Sequence, residues 1–219
     1  MLYMPNNHIR VGDLHMENNK EKILGAALLL SLRKGFSNVS IKEIQELSGF
    51  AAGSIYYHFK DKDEILEQMV KTFIIGNSDE YKRVVRNFEG SFPEKIEFVL
   101  KYISRSFDFE KIYSQYSLDN NNFTCNDYYE MVSSIYHQHP EIKYLYHGLH
   151  DGLYELYYEL VQEAIEKKEI RDDLDIREMT IFVQTIAKGY LDLLVFQPSF
   201  SPEELMSANL KLLCETFKI

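Results

Sequence analysis

Tryptophan is absent from this chain, it has only two cysteines and five prolines, and no uninterrupted apolar run approaches a bilayer's thickness. Each shortage excludes something. Cys125 and Cys214 lie far apart with no C-x-x-C spacing, which argues against a disulfide scaffold or a thiolate zinc site and fits a reducing cytoplasm. A membrane-spanning helix needs roughly 20 apolar residues, and none is expected here. The first residues, MLYMPNNHIRVGDLH, lack the basic-then-apolar order of a secretory leader. A protein neither secreted nor embedded in a membrane is expected. No G-x-S-x-G, H-E-x-x-H, P-loop or dinucleotide fingerprint occurs, so neither an enzyme nor a cofactor is expected. Strand-type alternation is missing throughout, which leaves an all-α fold.

Basic residues are also scarce: 24 Lys and Arg against 34 Asp and Glu give a net charge of −10. Phosphate neutralisation needs cations, so a polyanionic partner looks disfavoured at first. The distribution changes that reading. From Glu17 to Lys71 the cations Lys20, Lys22, Arg33, Lys34, Lys42, Lys60, Lys62 and Lys71 are matched one for one by Glu17, Glu21, Glu43, Glu46, Asp61, Asp63, Glu64 and Glu67. The acidic excess lies beyond, and the change in charge marks a domain boundary. With 219 residues and 45% hydrophobic content, one large or two small domains can each bury a core.

The neutral stretch carries the clearest local signals. Ser40-x-x-Glu43 is a capping box that starts a helix at Ile41, with Ile44 and Leu47 continuing its apolar face. Gly49 suits the left-handed residue that ends it. Phe50 anchors the turn, and Ile55 and Phe59, four apart, are the buried stripe of a second helix whose other side presents Gly53, Ser54, Tyr57 and His58. Asp61-x-x-Glu64 caps the next helix. Two short helices around a glycine turn, the second showing small, hydroxyl, aromatic and imidazole groups, suit a DNA-reading helix-turn-helix; a plain helical corner is the alternative.

Over about fifty residues from Ile23 to Val70, with the segments ILGAALLLSLRKGF, SIKEIQELSGF and GSIYYHFKDKDEIL in that order, the chain resembles the amino-terminal domain of the TetR family of bacterial regulators. The run Gly53-Ser54-Ile55-Tyr56-Tyr57-His58-Phe59-Lys60-Asp61-Lys62 is the specific part. The resemblance implies that Lys42, Gly53, Ser54, Tyr57 and His58 face a major groove while Ser40, Tyr56 and Lys62 hold phosphates. It implies a homodimer on a near-palindromic double-stranded DNA operator, released by a small effector bound in a second, helical domain. Ala51-Ala52 departs from the pattern, since the family usually has a hydroxyl cap and often a lysine there. An alternative reading is a helical dimeric interaction or ligand-storage protein with weakened DNA binding.

Three divisions are expected: an amino-terminal arm (1–16), the helix-turn-helix domain (17–73) and a larger helical domain for effector binding and dimerisation (74–219). The arm shows no periodicity, and Met16 offers a second start. Helix 1 is expected from about Asn18 to Lys34 with Ile23, Ala27 and Leu30 inward and Gly35 as its stop. A helix from Lys62 bends near Gly76-Asn77. Beyond the break at Glu89–Ser91, the pattern predicts helices from Pro93 towards Tyr113, Tyr128 to His137, Lys143 to Lys168, Ile176 to Phe196 and Pro202 to Phe217, with 118–126 a loop.

Eleven of the 16 tyrosines lie between Tyr102 and Tyr158, and amphipathic rings on packed helices can line a small-molecule cavity. Tyr102, Phe107, Tyr113, Tyr128, Tyr136, Tyr154 and Tyr158 are the candidates, with no effector named by them. The last two helices have broad apolar faces and are expected to pair with symmetry mates in a four-helix bundle through Phe182, Ile186, Gly189, Tyr190, Leu193, Leu205, Leu210, Leu213 and Phe217. His137, His139, His147, His150 and Asp151 cluster in sequence, but Pro140 splits them and no compelling ligand register emerges, so no metal is expected.

Overall fold

The computed structural model describes residues 11–105, 123–197 and 199–218, and the described residues are helical without strands. They fall into two compact units that divide between Met69 and Val70.

The first unit is built on α1 (Val11–Lys34). Its run from Ile23 to Leu32 has almost no wet side: Ile23, Leu24, Ala26, Ala27, Leu28, Leu29, Leu30 and Leu32 are all buried. A helix apolar all round has to be surrounded, and here α2 (Ile41–Ser48), α4 (Lys62–Met69) and the single turn Phe36–Asn38 pack around it. Ser31, the polar residue inside that run, donates to the Ala27 carbonyl at 2.6 Å, with Met69 Sδ 3.8 Å away. Gly35, at φ 75°, ends α1, and Phe36 turns back into the core. The helix starts at Val11 rather than near Asn18. Residues 1–10 lie outside the described chain.

The π-wound segment Val70–Ile75 continues the helical backbone from α4 into α5 (Gly76–Arg86). The irregularity therefore precedes the expected bend at Gly76-Asn77. The second unit continues with α6 (Phe92–Arg105), α7 (Cys125–Gln138), a turn at Pro140–Ile142, α8 (Lys143–Glu166), α9 (Ile176–Phe196) and α10 (Pro202–Phe217). Its core gathers Val85, Leu100, Leu156, Val161, Met179, Val183, Tyr190, Leu213 and Phe217, with α9 packed on α6 and α8. Serine, threonine and aspartate begin these helices: Thr124 with Asp127 forms a full capping box, and Asp175 and Ser201 accept from the amides of Glu178 and Glu204. Each such cap stabilises by about 1 kcal/mol.

Several boundaries move. The Thr124 box makes Cys125 and Asn126 helical rather than loop, while 118–122 lies outside the described residues. Phe92, not Pro93, is the first residue of α6, and Ser91 precedes it with its amide donating to Glu94 at 2.8 Å. The long helix stops at Glu166 because Lys168 takes a left-handed φ of 57°, and the Lys168 and Glu169 amides turn back to the Ile165 and Ala164 carbonyls. α9 is long and apolar enough to cross a membrane by length and composition, contrary to expectation. Met179, Val183, Ala187 and Tyr190 nonetheless bury one side of it in the core.

One polar pair is enclosed by this core. The hydroxyls of Tyr81 on α5 and Tyr157 on α8 lie 3.0 Å apart, with only 7% and 3% of these residues exposed. Burial pushes the Tyr157 phenol up to about 12, so both stay neutral and one donates to the other. Tyr157→Phe leaves Tyr81 buried without a partner and is expected to lower stability by about 1–3 kcal/mol. Replacing both tyrosines by Phe removes donor and acceptor together and should cost less than the two single changes added. Urea unfolding of the three variants checks this; additive losses would show that the hydroxyls do not depend on each other.

Candidate functional site

The capping box forms as expected: Ser40 accepts from the Glu43 amide, and the Glu43 carboxylate accepts from the Ser40 amide at 2.9 Å and hydroxyl at 2.7 Å. Hydrogen bonds from Lys34 and from Ser40 hold that carboxyl down at about 2. Ser40 is thus engaged in starting α2. Gly49 follows with φ 76°, and α3 (Ala52–His58) leaves the turn with Ala51 as its first flanking residue and no side-chain cap. Its first amides lack the oxygen that a serine there would supply. Ile55 and Phe59 are buried as expected and hold α3 to the unit.

What α3 leaves outside is unusual for a stable surface. Tyr56 is 56% and Tyr57 74% exposed, side by side. Gly53 is open, Ser54 and His58 are half-buried, and the His58 ring meets the Tyr57 ring edge-on at 5.2 Å. Nothing lies within 4 Å of where a Gly53 Cβ would stand, so this stretch is a bare backbone shelf. Tyr56 is too exposed to be an internal brace. Lys42, one helix earlier, is 83% exposed with Glu46 at 3.7 Å. These groups share an amphipathic, hydrogen-bonding surface of the kind that reads base edges and phosphates.

Lys62, expected to hold a phosphate, makes contacts within the unit. Its ammonium lies 4.9 Å from the centre of the Phe36 ring and donates to the Ser37 carbonyl at 3.1 Å, and desolvation lowers its pKa. It ties α4 to the turn after α1, which makes it an internal brace before it is a phosphate ligand. Lys60, 86% exposed with only Asp61 nearby at 3.8 Å, is the cation presented beyond α3. Lys60 sits in the quoted motif, but the position of its neighbour Lys62 two residues on in a helix's first turn could not be read as internal from spacing.

In the second unit the candidate tyrosines do not converge. Tyr102 packs on Tyr81 and Phe98, Tyr154 on Tyr158, and Tyr136 on Tyr146 and His147 with Lys143 over its ring at 4.8 Å. Burial raises the Tyr128 phenol, with Tyr146 beside it, and the Tyr146 hydroxyl is buried without a partner. Phe107 and Tyr113 lie outside the described residues. A cleft of about 570 Å³ lies elsewhere, lined by Tyr129, His150, Ile181, Gln184, Thr185, Lys188, Gly189 and Asp192. Burial followed by Lys188 lowers His150, and burial lowers Lys188 against the pull of Asp192. A charged pair at i and i+4 inside an otherwise apolar helix was the signal for it. The remaining histidines have separate neighbours, His139 pairing with Glu141 at 3.1 Å and His147 facing the Tyr136 hydroxyl at 3.4 Å.

The expected dimer set divides. Tyr190, Leu205, Leu213 and Phe217 are at most 6% exposed and belong to the chain's own core, where no partner can reach them. Ile186 and Leu210 are half-buried against the same core. Phe182 and Leu193 remain on the surface, joined by Ile181, Phe196 and Leu212, which the spacing argument missed because it chose the inward side of each helix.

Residues 23–69 match the family model described as bacterial regulatory proteins, tetR family. The regulator YerO of Bacillus subtilis is 28% identical over 81 residues, which is 37% of this chain and 28% of that protein. QacR of Staphylococcus aureus is 38% identical over 53 residues, 24% of this chain and 28% of QacR. The chain thus matches under a third of the length of these two curated relatives. By fold, the structure of GusR from Salmonella enterica superposes with a TM-score of 0.69 at 16% identity, covering 92% of this chain and 96% of that one. The matched segment coincides with the unit that carries the capping box, the glycine turn and the exposed tyrosines, and the fold of the whole chain is shared. Residues 23–69 are thus a helix-turn-helix domain of the TetR family type.

Proposed function

We propose that this protein is a ligand-responsive transcriptional regulator, acting as a cytoplasmic repressor that binds a near-palindromic operator as a homodimer and leaves it when a small molecule binds the second unit. The observation that carries the reading is the pair of exposed rings, Tyr56 and Tyr57, beside open Gly53 on a helix fixed from beneath by Ile55 and Phe59. Large aromatic groups are seldom left in water without a use. A helix-turn-helix dimer places its reading helices about 34–36 Å apart to enter successive major grooves, so the operator repeats its half-site at that spacing. Binding of the purified protein to DNA flanking its own gene, against random DNA at matched salt, tests the proposal. Equal affinity for both would end it.

One observation favours the second reading, a dimeric interaction or ligand-storage protein with weakened DNA binding. The bare start of α3 at Ala51 removes about 1 kcal/mol of helix stability relative to a hydroxyl cap. Ala51→Ser should recover it, and a regulator limited by the order of its reading helix then binds operator more tightly.

The residues separate by role. Lys42→Ala and Tyr57→Ala should each cost about 1–3 kcal/mol, chiefly at particular base pairs. Lys60→Ala weakens all sequences alike and lowers the salt slope by about one per subunit. Lys62→Ala should lower the unfolding midpoint of the first unit and leave the salt slope nearly unchanged, because its ammonium is engaged with Phe36 and Ser37. Fluorescence anisotropy across a salt series checks the set, and a slope lost with Lys62 rather than Lys60 would reverse the assignment.

An effector opposes DNA binding only by its preference for the conformer that DNA disfavours, and the coupling is reciprocal, typically 1–3 kcal/mol. A ligand found by thermal-shift screening should therefore bind about 5–150-fold more weakly to the operator complex than to free protein. Equal affinities would reduce the second unit to assembly and ligand storage.

A further inference from the structure

The cleft of about 570 Å³ beside α9 has the size of a small-molecule site, and the fold leaves its polar groups unspent. Lys188, Asp192, Gln184 and His150 line it, and among the described residues none of the four makes a hydrogen bond or an ion pair. Lys188 and Asp192 stand one turn apart on α9, but a lysine four residues before a carboxylate is the weaker order for pairing along a helix. Burial outweighs the pull of Asp192 and disfavours the Lys188 ammonium, and it disfavours the charged form of His150 as well. The cleft thus takes a cation partly out of water without a partner that offsets the cost. Apolar surface flanks these charges. Ile181, 48% exposed, stands about two turns before Lys188. The Tyr129 ring, edge-on to Phe196 at 5.7 Å, comes in from α7.

A ligand that completes this lining carries an anion for Lys188, a cation for Asp192 and an apolar part for Ile181 and Tyr129. Those requirements in one small molecule describe a zwitterion. We propose that the cleft binds a small amino carboxylate, an amino acid or short peptide with an apolar side chain, whose carboxylate pairs with Lys188 and whose ammonium pairs with Asp192. Gln184 and His150 add hydrogen-bonding groups beside the two charges. Charge-assisted hydrogen bonds are roughly twice as strong as neutral ones, and the two opposite charges also set specificity. A simple anion is repelled by Asp192 and a simple cation by Lys188, so only a molecule bearing both signs meets no like charge. Phe182 and Leu193, the surface members of the expected dimer set, lie about a third of a turn around α9 from the line of Lys188 and Asp192. The inference rests on the ligand-responsive reading and gives its effector a place and a chemical class.

Isothermal titration calorimetry on the full chain tests this, with the free apolar amino acids and leucyl-phenylalanine as probes. At least one is expected to bind saturably, and the absence of saturable binding by all of them would overturn the proposal. The tightest binder is then compared with its N-acetyl form, which lacks the ammonium, and its carboxamide, which lacks the carboxylate. Each loss should weaken binding at least about tenfold. Lys188→Gln should erase the discrimination against the carboxamide and keep that against the N-acetyl form, while Asp192→Asn should do the reverse. A general distortion of α9 or of the assembly lowers all three affinities together, so the crossed pattern reports direct contact. Discrimination that survives in both variants would place the ligand elsewhere and overturn the assignment. Both side chains are exposed, and circular dichroism checks that the fold is kept; should either variant unfold, Lys188→Met and Asp192→Ala are read in the same way. Operator binding is measured separately by fluorescence anisotropy with and without the bound zwitterion. An operator affinity that the zwitterion leaves unchanged would overturn its role as effector and keep the site. A protein that binds no operator under any condition would remove the proposed function itself, whatever the calorimetry shows.

Discussion

The amino-terminal unit depends on one constraint: α1 has no wet face between Ile23 and Leu32. A helix of that kind is unstable in water unless other elements cover it on several sides, and each large aliphatic side chain it hides is worth about 1.5–3 kcal/mol. α2, the Phe36 turn and α4 are the cover. α3, at seven residues, is far below the length at which a helix persists alone. It exists because Ile55 and Phe59 are held in place by neighbours that α1 has already positioned. The reading surface is therefore rigid through its underside, and its upper side can carry residues, such as Tyr56 and Tyr57, chosen with no regard for folding.

What could be read from the sequence follows from which signals are local. The capping box at Ser40, the left-handed Gly49, the alternation in α9 and the proline that opens α10 each act through neighbours a few residues apart, and all four appear in the fold where the residues put them. The Thr124 box escaped notice because its return partner is Asp127 rather than Glu or Gln. The end of α8 was misplaced because a lysine, not a glycine, takes the left-handed turn. Function was less legible for a different reason. Whether an ammonium faces solvent or a ring depends on where a distant turn lies, and Lys62 meets Phe36 and Ser37 across 25 residues of chain. The same limit scattered the tyrosines of the second unit and turned Tyr190, Leu213 and Phe217 inward, because periodicity finds an apolar face and cannot say what covers it.

Under the proposed function, an acidic chain would bind DNA through a neutral unit, which limits how it could gain affinity. Sequence-independent binding comes from counterions released by Lys and Arg, and here Lys34 is paired with Glu43 while Lys62 braces the fold. Lys42 and Lys60, by contrast, are held out in solvent. Under the proposed function, affinity for an operator would draw also on base contacts from α3 and on holding two reading helices on one duplex. The second of these is a concentration effect, lost entirely if the spacing is wrong.

Regulation of the proposed kind need not disturb α3. Where each half-site contact is weak, occupancy depends steeply on the geometry and persistence of the dimer, and a modest change in either is multiplied through the loss of bivalent binding. In this chain the helical backbone runs unbroken from Lys62 to Arg86 through the π-wound segment Val70–Ile75, at the boundary between the two units. π turns are rare and tend to occur at functional positions, since a single extra residue wound into a helix can be accommodated in more than one register. The connection with an irregular turn is the one departure from regular α-helix along this stretch. Under the proposed function it is a place where a ligand with a small preference would have something to shift.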